Sequence, residues 1–329
     1  MNSVPRINAW PARGARNMSE LELNGQSRVG WSRWWIYQRE RFPLFGHGIL
    51  VLAFSGCAVS LSAHLRADAL PSLAALATAF VSCLLFFAQL RIADEFKDAD
   101  EDNRYRPYRP VPRGLVTLRE LGWIFVACGT VQLALAWRGP GIQILLLLVT
   151  WAYLAGMCVE FGCRQWLKQR PAVYLWSHML IMPLVDLYAT ACDWAATSSV
   201  PPLGLMPFLI ASLANGFILE LGRKIRAPDD EEHGVETYSF LWGRRRATAW
   251  WLAAIGACFV FALASAAAAG VLWLVAGVLS VVALLAVYTS WRFLRSLPAG
   301  NGKHFEYVSA TWTLALYLSL GLGPHVSRL

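Results

Sequence analysis

The chain has 329 residues, 57% of them hydrophobic and 15% charged, with 16 Trp and a formal charge of +8. Soluble domains carry about 45–50% apolar and about 25% charged residues. This composition therefore excludes a cytosolic enzyme, a disordered chain and a disulfide-stapled secreted module. A positive balance also suits nucleic acid, and its placement along the chain decides what it means.

In chain order, residues 1–30 are polar, with Pro5, Pro11 and several Gly. They lack a central apolar run, so they do not read as a signal peptide and are predicted to be disordered. Trp31 to Pro43 mixes Trp with Arg in the manner of interfacial helices. Residues 1–42 are thus expected to form a cytoplasmic N-terminal segment that ends on the membrane surface. Residues 43–329 hold nine apolar runs, at roughly 44–64, 70–93, 120–137, 140–160, 172–193, 202–222, 247–267, 269–290 and 305–323. Each is near the length of about 17–25 residues that spans a bilayer. Backbone in hydrocarbon must satisfy its own hydrogen bonds, so the runs predict helices. The alternating segments of a barrel, about ten residues each, are absent.

Of the 29 Lys and Arg, 26 lie in the N-terminal segment and the 2–3, 4–5, 6–7 and 8–9 connections; only Arg66, Arg138 and Arg328 fall on the other side. That asymmetry places the N-terminus in the cytoplasm and, after nine spans, the C-terminus outside, with a bacterial plasma membrane as the expected location. The charge is then a membrane signature and not a nucleic-acid footprint. The seven Cys contain no CxxC pair and the six His no HExxH pair, so packing is the ordinary reading of the cysteines.

Acids are the informative residues. Twelve of the 21 fall in two windows, Asp94–Asp102 after the second run and Glu220–Glu236 after the sixth. On a continued helix Asp94, Glu95, Asp98 and Asp102 lie within about 60° of Arg91, while Asp100 points away. Acids stacked at i, i+4 repel unless a cation neutralises them, and oxygen-only ligands of this kind suit Mg²⁺. Arg104, Arg106, Arg109 and Arg113 follow, and guanidinium groups hold phosphate oxygens bidentately. The plainer alternative is a solvated helix end with local salt bridges, or a topology determinant. In the second window Glu220, Arg223 and Lys224 share a face, Pro228 ends the helix near Ala227, and Asp229–Glu232 form a loop closed by Gly234. Glu220 either serves function or simply pairs with its basic neighbours. Asp186 lies in the middle of the fifth run with His178 near the same face. That pair suits an acceptor-binding base, a cation stabiliser or a buried hydrogen-bonded pair.

These windows resemble the UbiA superfamily of intramembrane prenyltransferases. Its first motif, R-x-x-N-D-x-x-D-x-x-x-D followed by R-P-x-x-G, is matched by Arg91, Asp94, Glu95, Asp98 and Asp102 and then by Arg109-Pro110-Val111-Pro112-Arg113-Gly114. Asp94-Glu95 replaces the Asn-Asp pair. The second motif, D-x-x-D-x-E-G-D-x-x-x-G-x-x-T, is altered: aligned on Gly234 and Thr237, it puts Asp230 on the last aspartate, and Arg223 and Arg226 where acids belong. The resemblance spans about residues 40–323 and implies an all-α membrane bundle of nine helices. It would be built as two four-helix halves with the ninth appended, the two windows meeting across the halves on the cytoplasmic side. It implies Mg²⁺ held by Asp94, Asp98 and Asp102 with Glu95 assisting, and either the loss of the second site or its rebuilding from Glu220, Asp229 and Asp230. Arg91, Arg109, Lys168, Arg223, Lys224 and Arg226 are the diphosphate candidates; Asp186 joins Asp94, Asp98 and Asp102 as a catalytic candidate. Arg223, Lys224 and Arg226 would hold the diphosphate directly if the second metal is lost.

The implied reaction is Mg²⁺-dependent transfer of a prenyl group from a prenyl diphosphate to a lipid-soluble, aromatic acceptor. No nucleic-acid partner is expected, and membrane lipid surrounds the bundle. The alternative on the same fold is a terpene cyclase, in which the substrate's own double bonds capture the cation. A transporter with acidic gates is the third class, and it predicts acids along several spans.

Overall fold

The computed structural model describes residues 30–67, 70–231, 235–295 and 302–326. The disorder expected for 1–29, the acid Glu232 and the alignment anchor Gly234 lie outside the described residues. Within them the regular structure is helical: α1 Ser32–Arg41, α2 Leu44–Ala67, α3 Leu73–Lys97, α4 Ala99–Tyr105, α5 Leu118–Trp137, α6 Gly141–Cys158, α7 Arg164–Lys168, α8 Pro171–Met179, α9 Ile181–Trp194, α10 Leu205–Arg223, α11 Tyr238–Trp242, α12 Arg244–Ala268, α13 Leu272–Arg295 and α14 Lys303–Val326. Among the described residues eight segments are long and apolar enough to cross a membrane: α2, α3, α5, α6, the α8–α9 pair, α10, α12 and α13.

Local sequence sets the ends. Ser72 caps α3, its Oγ accepting from the Ala75 N–H at 3.1 Å. Thr117 and Glu120 form a reciprocal capping box on α5. The fifth span breaks at Leu180, between α8 and α9. Pro183 has no N–H for the Met179 carbonyl, so a helical hydrogen bond is missing where the segments meet. The α10 helix stops at Arg223, four residues short of the end expected before Pro228. The Lys224 carbonyl instead accepts from the Tyr238 N–H at 3.0 Å, and Ala227 is extended, as a residue before proline prefers.

The helices form a closed ring in the order α2, α3, α5, α6, α9, α10, α12, α13, α14 and back to α2, with α9 also packing on α2 and α3. The expected appendage is therefore corrected: α14 closes the ring against α2, α10 and α13. Gly321 lies so close to α2 that a Cβ there would stand 2.4 Å from the Cys57 Cβ. The buried side of α14 sets Ser309, Thr313, Tyr317 and Ser319 among Phe305, Val308, Trp312, Leu316 and Leu320, and these hydroxyl groups lower its apolarity. Ser309 donates to the Ile218 carbonyl at 3.0 Å, Thr313 to Asn215 Oδ1 at 2.9 Å and Tyr317 to Asp186 Oδ2 at 2.6 Å. Small and hydroxylated residues of this kind let helices approach closely in lipid.

Among the described residues three ion pairs fasten α1 to the bundle: Arg33 to Glu120 at 2.6 Å, Arg113 to Glu40 at 2.9 Å and Arg41 to Glu95. An apolar crevice of about 660 Å³ runs between α1, α3 and α5, lined by Trp34, Phe42, Leu84 and Leu121, and it reaches Arg91.

Candidate active site

The first acidic window spans a joint. Asp98 (φ −93°, ψ 4°) separates α3 from α4, yet the hydrogen bonds run on, from the Asp98 N–H to the Asp94 carbonyl at 2.9 Å and from the Asp102 N–H to the Asp98 carbonyl at 2.8 Å. The acids nonetheless have two fates. Glu95 and Asp102 are buried. Glu95 accepts from Arg41, and Asp102 lies 3.1 Å from Arg106 and 2.6 Å from Arg109. Asp94 is half exposed, with Arg91 at 3.6 Å. Asp98 makes no ion pair or side-chain hydrogen bond among the described residues. Burial, and then the neighbouring Asp94 and Asp102 carboxylates, push its carboxyl above the ordinary aspartate value. The stack is thus two anchored acids and two open ones. Lys168 pairs with Glu101 at 2.7 Å and holds that carboxyl below its usual range.

The second window supplies cations. Glu220 is bracketed by Arg223 at 2.6 Å and Lys224 at 2.8 Å, and its charge holds the Lys224 ammonium above its usual value. Asp230 is exposed on the turn Pro228–Asp230. Thr237 and Ser239 donate to Glu231 at 2.7 and 2.9 Å, which closes the loop on itself, and the Ser239 Oγ also accepts from the Arg226 N–H at 2.8 Å. Among the described residues no three acidic, His or Cys side chains stand close enough to hold one metal ion. The six acids expected as ligands therefore do not converge as a set. Asp94 and Asp98 remain, with open oxygens and crowded negative charge. That donor set fits Mg²⁺, which binds one or two carboxylates and takes its other oxygens from water and phosphate.

Four helix ends meet around these residues. Asp94 on α3 lies within electrostatic reach of Arg223 on α10 and of Cys158 at the end of α6. Glu220 reaches His178 on α8, and Lys224 reaches Tyr174. A third polar cluster, absent from the sequence reading, completes the wall. The Lys97 ammonium donates to the Tyr174 hydroxyl, pairs with Glu160 at 3.1 Å and lies 3.3 Å from His178 Nε2. Its signals in the sequence were a lysine inside the first acidic window and an acid, Glu160, at the end of the fourth apolar run. Asp186 belongs elsewhere: it is fully buried and accepts from Ser212 on α10 and Tyr317 on α14. The break at Leu180 separates it from His178, so the expected Asp186–His178 pair resolves into two networks.

Fold and site together define a multi-pass helical membrane protein with carboxylates and cations gathered at one end of its bundle. A model of the UbiA prenyltransferase family matches residues 49–324, and the chain belongs to that family. Solved structures agree on the fold. One is an apo UbiA homologue from Aeropyrum pernix K1, with 19% identity, coverage of 86% of this chain and 98% of that one, and a TM-score of 0.64. A digeranylgeranylglyceryl phosphate synthase follows at 12% identity, 88% and 99% coverage and a TM-score of 0.58. A UbiA homologue from Archaeoglobus fulgidus bound to DMAPP and Mg²⁺ has 14% identity, 89% and 99% coverage and a TM-score of 0.55. A search of curated protein sequences found no match.

Proposed function

We propose that this protein ionises an allylic prenyl diphosphate and transfers the prenyl group to a lipid-soluble acceptor, with the reaction at the basic, cytoplasmic face. The observation that carries this reading is the open carboxylate of Asp94, with Asp98 beside it, within electrostatic reach of Arg223 of the Arg223–Lys224 pair where α3, α6, α8 and α10 meet. An anion that brings its own divalent counter-ion satisfies both sides at once. Asp94 and Asp98 would hold Mg²⁺, which supplies positive charge to the diphosphate as negative charge grows there. Arg91, Arg223 and Lys224 bind the remaining phosphate oxygens; Lys224 stays protonated at neutral pH because Glu220 holds its proton. When the allylic C–O bond breaks, both electrons leave with pyrophosphate, and these cations stabilise it.

Glu95, Asp102 and Glu220 act on this reading as anchors for Arg41, Arg106, Arg109, Arg223 and Lys224, and only Asp94 and Asp98 contact the metal. With Asp230 on an exposed turn, Arg223 and Lys224 do the work that a second acid-bound metal would do. The ninth helix, α14, spans the membrane with the other eight segments on this reading: it is 24 residues long and is itself a link of the ring.

Purified protein given Mg²⁺ and C10, C15 or C20 prenyl diphosphate tests the reading. Pyrophosphate release that depends on Mg²⁺ and rises with an added phenol supports transfer. Cyclic hydrocarbon formed without acceptor would assign the protein to the terpene cyclases. No pyrophosphate from any chain length would refute the reading.

A further inference from the structure

The crevice between α1, α3 and α5 takes no part in the reaction described above, yet it is built like a binding site. Its volume of about 660 Å³ falls within the range of about 300–1,000 Å³ of small-ligand sites, which are likewise apolar with a few placed polar groups. The polarity is graded along α3. Leu84, Ala88 and Arg91 line the crevice at i, i+4 and i+7, one face of the helix, and two turns, about 10 Å, separate Leu84 from Arg91. Arg91 marks the end where acids and cations gather. Leu84, with Ile124 of α5, marks the end that runs toward the middle of the span.

The polar end has unmet capacity. Tyr37 of α1 lines the crevice and is 7% exposed, and its hydroxyl makes no hydrogen bond among the described residues. A buried O–H of that kind calls for an acceptor. The Arg91 guanidinium has only the half-exposed Asp94, at 3.6 Å, as an ion-pair partner among the described residues, because the neighbouring Glu95 is taken by Arg41. Tyr37 and Arg91 lie within electrostatic reach of each other, so one anion can meet both. Arg39 of α1 is exposed and forms no ion pair among the described residues.

Charge and position choose the ligand. No carboxylate lines the crevice, and neither Arg223 nor Lys224 does, among the described residues. It therefore has no means of holding Mg²⁺ or the several charges of a diphosphate, whereas one guanidinium matches the single charge of a phosphodiester. The α1 helix stands outside the ring, and Trp31 and Trp35, which also line the crevice, are exposed as aromatic residues at headgroup level are. We propose that the crevice binds an anionic phospholipid, with one acyl chain along Leu84, Ala88 and Ile124 and the phosphate on the Arg91 guanidinium beside the Tyr37 hydroxyl. The lipid bridges α1 to α3 and α5 and so fastens the helix that Arg41 ties to the first acidic window. This holds whichever reaction the ring carries out.

Lipid counting tests it. Full-length protein in detergent is titrated with dioleoyl phosphatidylglycerol or dioleoyl phosphatidylcholine, and bound lipids are counted by native mass spectrometry. A basic residue at the membrane surface is worth roughly fivefold toward an anionic lipid. With Arg39 and Arg91 acting together, one phosphatidylglycerol should bind about tenfold or more tighter than phosphatidylcholine, and Arg91→Gln should reduce that preference. Leu84→Trp, which fills the apolar end and leaves every charge in place, should remove the tight site itself. Ala88→Phe, one turn nearer Arg91, repeats the test should Leu84→Trp not fold. In vesicles, adding phosphatidylglycerol to phosphatidylcholine should slow hydrogen exchange over Ser32–Arg41 about tenfold in wild type and not in the filled variant. Equal binding of the two lipids by wild type overturns the proposal. So does tight phosphatidylglycerol binding by the filled variant, or slowing of α1 in both proteins alike, because either is attraction to the basic surface alone. A filled variant that keeps phosphatidylglycerol and loses geranylgeranyl diphosphate gives the crevice to the prenyl chain, and overturns it too.

Discussion

Glu95 falls at a motif position where a metal ligand is expected, yet its carboxylate is buried against Arg41 of α1. The two assignments predict opposite behaviour. The side chains are only 1% and 10% exposed, so Glu95→Ala would strand a guanidinium out of water, at a cost of about 3–5 kcal/mol. The loss falls on the docking of α1, since Arg41 is the inner of its three ties and the other two are a third exposed, worth about 0–1 kcal/mol each. A change of 3 kcal/mol corresponds to roughly a hundredfold in an opening equilibrium. Hydrogen exchange followed by mass spectrometry should therefore show the amides of Ser32–Arg41 exchanging about a hundredfold faster in Glu95→Ala, with α10 unaffected. Glu95→Met combined with Arg41→Met should recover most of the protection, because no charge is left unpaired. Mg²⁺ affinity, measured by titration, should change little in either variant. Unaltered exchange over α1 together with a large loss of Mg²⁺ binding would refute the anchoring argument and return Glu95 to the metal.

Replacing Arg223 or Lys224 with Met should raise KM for the prenyl diphosphate by roughly 10–100-fold, the size of a lost charge-assisted hydrogen bond; an unchanged KM in steady-state pyrophosphate release removes them from the site. The raised Asp98 carboxyl sets the direction of a pH effect. Its neutral form is favoured in the folded protein, a contribution to stability that is complete below the unfolded aspartate value and lost as pH rises through the higher folded value. Mg²⁺ requires the ionised form, so affinity measured by calorimetry should fall on acidification earlier than for an ordinary aspartate, and Asp98→Asn should flatten the profile. Gly321→Val, which puts a branched side chain where even a Cβ meets Cys57 at 2.4 Å, should destabilise the bundle by at least about 1–3 kcal/mol. Thermal unfolding that matches wild type would contradict closure of the ring by α14.

Much of the fold was legible because hydrocarbon leaves a chain few choices: an apolar run of bilayer length has to be a helix, and basic residues on alternate connections order the spans. The role of α14 was not, since ring closure depends on which face of one helix meets three others; Ser309, Thr313 and Tyr317 look like interruptions until their acceptors on α9 and α10 are in view. The break at Leu180 is visible in hindsight through Pro183, although a proline inside an apolar run marks a kink without telling which side chains it separates. At the site, helical period grouped Asp94, Glu95, Asp98 and Asp102 around Arg91. Period says nothing about what lies opposite, and Arg41, distant in sequence, is what distinguishes Glu95 from Asp94. Lys97 escaped notice for the same reason: all three of its partners come from beyond residue 159.

The central claim is that the open pair Asp94 and Asp98, with Arg223 within electrostatic reach of Asp94 and Lys224 beside Arg223, drives ionisation of a prenyl diphosphate. Its most direct test is Mg²⁺-dependent pyrophosphate release from geranylgeranyl diphosphate by wild type, Asp98→Ala and Glu95→Gln at equal folded concentration. The account predicts release by the wild-type protein, loss of a hundredfold or more in Asp98→Ala and retention within a few-fold in Glu95→Gln. Full release by Asp98→Ala would contradict it.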